Sequence, residues 1–592
     1  MADNHPDRPW LDATLAVDER VQLLLDAMTI DEKAGLFFHT MIAIGDVDEP
    51  NTAFALPSAR ELVEGRRMTH FNLLGAAPTG GEIAAWQNAL QRLAASTRLG
   101  IPVTLSTDPR HSFSENPGAS ILAGPFSQWP ETLGLAATRD EALVERFADI
   151  ARQEYTAVGL RVALHPQIDL ATEPRWARQT ATFGEDADLA GRMGAAYIRG
   201  FQGAAFGPGS VSTMTKHFPG GGPQLDGEDP HFAYGREQVY PGGEFELHLQ
   251  PFQDAFNAGT RQIMPYYGMP VGTEYEEVGF GFNKSIITGL LRERFGFDGV
   301  VCTDWGLIND AEIFGQPFPA RAWGVEHLSP LQRMKKVLDA GADQFGGEAS
   351  PDQLLELVAS GEVTQERIDV SARRILREKF ELGLFENPYV DEAAADEIVG
   401  RADFRAEGEA AQRASITLLT GDDVLPIRRG VRLYVEGIDA EVAAAYGDVV
   451  TNPSDADVAV LRLHAPFEQR DTAFENFFHA GSLAFSDETV AHVRDIAAQV
   501  PTVVDVLLDR PAILTPVVEV AAAVTANWGA SGAALLDVLT GVAPAQGKLP
   551  FDLPRSMAAV EASRPDVPFD TADPLFRFGH GLHIARPATL TA

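Results

Sequence analysis

The stretch Gly296-Phe297-Asp298-Gly299-Val300-Val301-Cys302-Thr303-Asp304-Trp305-Gly306 constrains the fold more than any other part of this chain. Val300-Val301-Cys302 has the composition of a strand buried on both faces, which belongs to a parallel sheet covered by helices. The run ends on a carboxylate followed by an indole. In parallel α/β architectures the carboxyl ends of the strands carry the chemistry, so Asp304 is a candidate nucleophile and Trp305 a candidate platform for the apolar face of a ligand. Taken by itself, Asp304 serves equally well as the cap of the following turn.

Three further runs finish in the same manner. Residues 102–107, 211–215 and 261–264 lead to Asp108, to Lys216-His217 and to Tyr266-Tyr267, with helical patterns between them at a spacing suited to repeated βα units. A barrel that gathers its strand ends on one face would bring all of these groups to one pocket. Residues 139–158 read as one of the intervening helices: Thr138 and Glu141 have capping-box spacing, Leu143, Phe147, Ile150, Ala151 and Tyr155 recur on one face, and Gly159 supplies the stop. Helical patterns at 329–341 and 365–382 close the region.

A chain of 592 residues is too long for one hydrophobic core. An acidic, alanine-rich stretch near 386–404 reads as a surface linker, dividing a first domain, 1–385, from a second, 405–592. The second block carries strand-like runs at 431–435, 458–463, 503–508 and 522–525, with a helical pattern over 487–500. Its Gly529-Ala530-Ser531-Gly532 lacks the spacing of a dinucleotide fingerprint and reads as a tight strand-to-helix turn.

The formal net charge of -37 argues against a nucleic-acid or anionic-membrane partner and favours a neutral ligand. The single cysteine, Cys302, rules out an internal disulfide and a cysteine metal cluster. Met1 to Trp10 shows neither a basic nor an apolar targeting region. The most apolar stretch, 500–528, is interrupted by Asp505, Asp509, Arg510, Pro511 and Pro516. The expectation is a soluble cytoplasmic protein.

Several longer motifs resemble glycoside hydrolase family 3, the β-glucosidase-like exo-acting enzymes. They are the Asp304 stretch, with Thr303 where serine is usual; Lys216-His217-Phe218-Pro219-Gly220; Glu173-Pro174-Arg175-Trp176-Ala177-Arg178 followed by Thr182-Phe183-Gly184-Glu185-Asp186; Gly547-Lys548-Leu549-Pro550-Phe551; and Pro574 to Leu582. The resemblance implies a (β/α)8-type TIM barrel followed by an α/β sandwich domain, with the active site at their junction. It also implies a retaining double displacement through Asp304, with two carboxyl groups about 5–5.5 Å apart. Asp108, Arg175, Lys216 and His217 are then expected to bind sugar hydroxyls, Tyr267 to sit close to the nucleophile and Trp305 to wall the pocket. Arg175 has a second reading, as an ion-pair partner of Glu173 or Asp169.

The acid/base is where the motifs diverge. One branch of the family, the β-N-acetylglucosaminidases, uses a histidine in the loop after Lys-His, but this chain has glycine where that histidine would stand. The other branch takes a glutamate from the second domain shortly after a strand. Glu468, after the strand at 458–463, is the expected acid/base, and Glu475 is the alternative. Asp226, Glu228, Asp229 and His231 lie in a long insertion, 221–243, that reads as a solvated acidic loop shaping the outer subsites. No metal and no cofactor are expected. The aromatic stretch 474–485 and this insertion are candidate contacts for a homodimer.

The resulting expectation is an exo-acting β-glycosidase, foremost a β-glucosidase, acting on terminal glucose of oligosaccharides or glycosides. The alternatives are a β-xylosidase or other exo-β-glycosidase, and a non-catalytic carbohydrate-binding protein on the same scaffold.

Overall fold

The computed structural model describes residues 7–108, 111–114, 120–313, 316–421 and 424–583. Eight strands close into a barrel: β1 (Phe38–Ala43), β2 (His70–Leu74), β3 (Thr104–Thr107), β4 (Leu160–Ala163), β5 (Ser212–Phe218), β6 (Gln262–Pro265), β7 (Val300–Trp305) and β8 (Gln344–Gly346). Each pairs in parallel with its neighbours in sequence order, and β1 closes on β8. Every residue of β5 is buried, as are the first five of β7, which is why these strands read as unbroken rather than alternating runs. Val162, Met214, Met264 and Cys302 pack against one another from four adjacent strands. At the register shift between β7 and β8, the Thr303 hydroxyl accepts from the Gly346 amide at 2.9 Å.

The helix expected at 139–158 spans Glu141–Ala157 and buries Val144, Phe147, Ile150, Ala151 and Tyr155. Its cap is Asp140, whose carboxylate accepts from the Leu143 amide at 3.1 Å. Thr138 instead bonds back to the Leu135 carbonyl, because it closes a preceding helix, Thr132–Thr138.

The second domain is a six-stranded sheet of β9 (Thr417–Gly421), β10 (Arg432–Glu436), β11 (Asp448–Val449), β12 (Val458–His464), β13 (Thr502–Leu507) and β14 (Ala523–Asn527). The spatial order is β9-β14-β13-β12-β10-β11, with only β9 antiparallel to its neighbour. The turn after β14 runs through Gly529, at φ +84°, to Ser531, which caps the helix Gly532–Leu539.

Residues 386–404 are more ordered than a surface linker. They contain a helix, Glu392–Ile398, docked on the barrel helix Gly80–Ala95 with Asn88 bonded to the Val390 carbonyl at 2.9 Å. The approach is close enough that a Cβ on Gly80 would lie 2.6 Å from the Ala395 carbonyl.

The two domains share a packed seam. Leu133 and Ala137 of the barrel join the sandwich core around Trp528, Leu549 and Phe551. Glu185, buried in the seam, accepts from the amides of Asp552 at 2.5 Å and Phe569 at 2.8 Å. Arg510 ties the sandwich loops to the barrel: its guanidinium donates to the carbonyls of Pro466, Ala480, Gly481 and Ser482, and across the seam to that of Arg175. Burial pulls its pKa down to about 10, so it remains a cation at neutral pH. Arg510→Met strips a charged donor from all five carbonyls. It should lower the free energy of unfolding by about 3 kcal/mol or more, measured by denaturant titration, with protease nicking gained first in 466–482.

Candidate active site

Asp108, Lys216, His217, Tyr267, Asp304 and Trp305 line one cavity of about 250 Å³ at the carboxyl ends of the barrel strands. They arrive from β3, β5, β6 and β7, because a parallel barrel delivers every strand end to the same face. Lys216 Nζ donates to Asp108 Oδ1 at 2.8 Å, and His165 Nε2 lies 2.9 Å from the same oxygen. The Lys216–His217 peptide is cis, and both side chains line the cavity.

His217 is held from behind by Asp169. The imidazole Nδ1 lies 2.8 Å from Asp169 Oδ2, while the other carboxylate oxygen accepts from the His217 amide at 3.1 Å and the Gly221 amide at 2.5 Å. Burial raises the Asp169 pKa to about 6, against the pull of those two amides. Burial, with Arg178 and Lys216, drives that of His217 well below its ordinary value. The imidazole is therefore neutral, with its proton on Nδ1 and a lone pair on Nε2. That nitrogen stands 3.7 Å from Asp304 Oδ2.

Asp304 has one hydrogen-bonded oxygen and one buried oxygen that accepts no hydrogen bond among the described residues. Oδ1 accepts from the Trp305 amide at 2.8 Å, whereas Oδ2 has no protein partner among the described residues. The Tyr267 hydroxyl bridges the amide and carbonyl of Trp305, at 2.9 Å each, and Arg321 donates to the same carbonyl. The indole Nε1 meets Met41 Sδ at 3.4 Å. The backbone that carries the carboxylate is thus fixed on both sides.

Arg175 stands elsewhere. Its guanidinium is engaged by Glu173 at 2.9 Å and Asp226 at 3.4 Å, the ion-pair role that was its second reading, and it does not line the cavity. Arg178, three residues on in the same motif, lines it instead. Burial works against that cation, but Tyr266, Asp229, Asp304 and Asp108 raise its pKa above the ordinary arginine value. Motif spacing alone does not choose between two arginines on one loop.

Neither candidate glutamate lines the cavity. Glu468 folds against Gly481, accepting from the Ser482 amide at 3.2 Å. Glu475 caps its own turn through the Thr472 amide, at 3.0 Å, and hydroxyl, at 2.8 Å, and accepts from the Tyr234 hydroxyl at 3.1 Å. Both are committed to holding loop backbone. The group that does reach the cavity is His231, from the 221–243 insertion. Its Nδ1 lies 2.6 Å from Asp229 Oδ1, which also accepts from the His231 amide at 2.8 Å. The ring sits between Tyr267, at 4.5 Å, and Phe478, at 4.6 Å.

The insertion is held to this shape at several points. Trp323 Nε1 donates to the Pro230 carbonyl at 2.8 Å, a Cβ on Gly235 would strike the Asp229 backbone at 2.2 Å, and Arg470 of the sandwich pairs with Glu228 at 2.8 Å. Asp226, Glu228 and Asp229 of the insertion are thus paired with Arg175, Arg470 and His231, rather than forming the solvated acidic loop that was expected. The sequence signal for the dyad was the Asp229-x-His231 spacing. Asn72, His165 and Gln167 also line the cavity without having been expected there, as does Phe318. From the second domain come Phe474, Phe477 and Phe478, part of the aromatic stretch considered as a dimer contact.

Comparison with known proteins places this geometry among relatives. The chain matches the Glycosyl hydrolase family 3 N terminal domain over residues 77–378 and the corresponding C-terminal domain over residues 322–584. It is 53% identical over 579 residues to Beta-glucosidase C of Emericella nidulans, covering 97% of this chain and 93% of that protein. It is 44% identical over 599 residues to the periplasmic beta-glucosidase/beta-xylosidase of Dickeya chrysanthemi, covering 97% and 91%. Its fold matches the β-glucosidase structure from Erythrobacter marinus with a TM-score of 0.79 at 21% identity, over 98% of this chain and 84% of that one.

The electrostatics of the dyad are open to direct titration. Burial lowers the His231 pKa, opposed by Asp229 and reinforced by Arg178. Burial likewise penalises the Asp229 carboxylate, but the His231 charge and hydrogen bonds, with Arg178, hold it below its usual range. The His231 imidazole should titrate below 6.5 in a histidine NMR titration. Asp229→Asn should move that midpoint further down, and Arg178→Met should move it up.

Proposed function

The chain belongs to glycosyl hydrolase family 3, and we propose that it is an exo-acting retaining β-glucosidase in which Asp304 is the nucleophile and the Asp229–His231 pair the acid/base. The observation that carries this reading is the sharing of one cavity by Asp304, whose Oδ2 has no hydrogen-bond partner among the described residues, and His231, while Glu468 and Glu475 lie outside it.

In the first displacement Asp304 Oδ2 forms a bond to the anomeric carbon. The bond from that carbon to the leaving oxygen breaks, its electron pair stays on the oxygen, and the imidazolium of His231 delivers a proton there. Asp229 stabilises the imidazolium and holds Nδ1, so that Nε2 is the nitrogen that exchanges protons. In the second displacement the neutral imidazole takes a proton from water as its oxygen attacks the anomeric carbon. The ester bond to Asp304 breaks and the carboxylate is restored. The barrel end of the cavity, with Asp108, His165, Gln167, Arg178, Lys216 and His217, supplies charged and polar partners for the radial hydroxyls of a terminal pyranose. Buried hydroxyl contacts of this kind discriminate sharply between epimers.

The test is hydrolysis of aryl β-glucoside, xyloside, galactoside and N-acetylglucosaminide by the wild type and four variants. The xyloside is included because the Dickeya relative is named for both activities. The glucoside should be the best substrate. Asp304→Asn should abolish turnover, His231→Ala should lower it by roughly 10²–10⁴-fold, and Glu468→Gln and Glu475→Gln should retain it. Azide should restore turnover to His231→Ala as a β-glucosyl azide. Abolition by a glutamate variant, with His231→Ala active, would overturn the acid/base assignment.

The pH profile supplies a second prediction. The general acid works as an imidazolium, and burial lowers the His231 pKa. The wild-type kcat/KM should therefore fall as pH rises through a midpoint below 6.5, the ordinary value. This limb should be missing in His231→Ala.

A further inference from the structure

The cavity has two chemically distinct ends. Its barrel end is charged and polar, whereas Phe318, Phe474, Phe477 and Phe478 line it from the strand Gln316–Phe318 and from the sandwich domain. Phe318 and Phe474 meet edge to face at 5.0 Å and 80°, and Phe474 meets Phe478 at 5.5 Å and 73°. Phe232 backs both sandwich rings, at 5.8 Å from Phe474 and 5.6 Å from Phe478. Phe477 is 42% exposed, a large apolar side chain left at the surface beside a cavity. Phe474 and Phe478 are half-buried beside it and Phe318 is buried, so the apolar face left uncovered lies on the sandwich side of the cavity, where a ligand could cover it.

Few polar groups face this end, and among the described residues Arg321 Nη1 is a buried donor without a hydrogen-bond partner. His231 is paired with Asp229 and, on the β-glucosidase reading, turns its other nitrogen to the glycosidic oxygen. Arg321 donates to the Trp305 carbonyl and lies with its guanidinium over the Phe318 ring at 4.3 Å. A second pyranose here would lose water from more hydroxyls than this one donor and four phenylalanines can satisfy. A flat aromatic group has no such requirement and gains offset or edge contacts with the same rings.

We propose that these four phenylalanines form a leaving-group site for a planar aromatic aglycone, so that the preferred substrates are β-glucosides of phenols rather than oligosaccharides. The inference rests on the β-glucosidase reading and adds the class of the leaving group. The rings are held in place by contacts from both domains: Arg470 pairs with Glu228, Tyr234 bonds Glu475, and Arg510 gathers the carbonyls on either side of the 474–478 segment. The site therefore exists only in the assembled two-domain chain.

Rates on aryl glucosides mix affinity with leaving ability, so the test uses non-hydrolysable thioglycosides as competitive inhibitors of the full chain. The inhibition constant of naphthyl 1-thio-β-glucoside should be at least tenfold lower than those of methyl 1-thio-β-glucoside and of thio-linked cellobiose. Phe474→Ala and the surface variant Phe477→Ala should each reduce that preference severalfold, and Phe477→Tyr should restore it. Equal or tighter binding of thiocellobiose, or an equal loss for all three inhibitors in the variants, would overturn the proposal. Hydrolysis by the wild type separates the two levels of inference. No turnover of any β-glucoside would remove the β-glucosidase reading itself, whereas turnover without aromatic preference would remove only the leaving-group site.

Discussion

The mutual compensation of buried charge at the carboxyl end of the barrel is the constraint on which the site depends. Asp108, Lys216, Asp169, Arg178, Asp229 and Asp304 are all taken largely out of water, and none would be tolerated there as an isolated ion. Lys216 neutralises Asp108, Asp169 is held by two amides and the His217 ring, and Arg178 stands among several of the acids. Among the described residues the arrangement leaves Asp304 Oδ2, like Asp229 Oδ2, without a hydrogen-bond partner. On the proposed reading, that unpaired Asp304 oxygen is the one that attacks the anomeric carbon.

The second domain acts on this site through shape and apolar surface. Its two candidate glutamates serve loop backbone, and what it brings to the cavity is a group of phenylalanine rings, one of which packs on the His231 imidazole. That contact keeps water from the ring and favours its neutral form, while Asp229 works in the opposite sense. On the proposed reading, an imidazole balanced between these two influences both gives and accepts a proton in one catalytic cycle. Arg510 is the mechanical counterpart, because a single buried cation satisfies carbonyls from the loop and from the barrel and so sets the distance between them.

Legibility in the sequence followed the range of the interactions involved. The strands leading to Asp108, Lys216 and Asp304 were readable because burial on both faces leaves an uninterrupted apolar run, a purely local signature. The Thr138 cap was misassigned by two residues because Asp140 offers an equally good side chain, and the choice depended on a preceding helix that ends at Thr138. Residues 386–404 looked like a solvated linker because their composition is acidic. Ala395 and Val399 are nonetheless buried against a helix some 300 positions earlier in the chain, a partner that composition does not reveal.

By itself the sequence determined the class of fold, the parallel strands and the groups at their ends, because each of these is written in contiguous residues whose burial dictates their type. The tertiary structure alone decided that Arg178 rather than Arg175 enters the cavity, and that His231 rather than Glu468 or Glu475 lies there with Asp304. It also decided that the aromatic stretch near 474 covers the chain's own site. These outcomes belong to loops, and a loop's direction is set by its distant anchors: Trp323 on Pro230, Arg470 on Glu228, Arg510 on the carbonyls around it. Such contacts join residues far apart in sequence, so no local pattern encodes them, and only the folded chain brings His231 and Asp304 to one cavity.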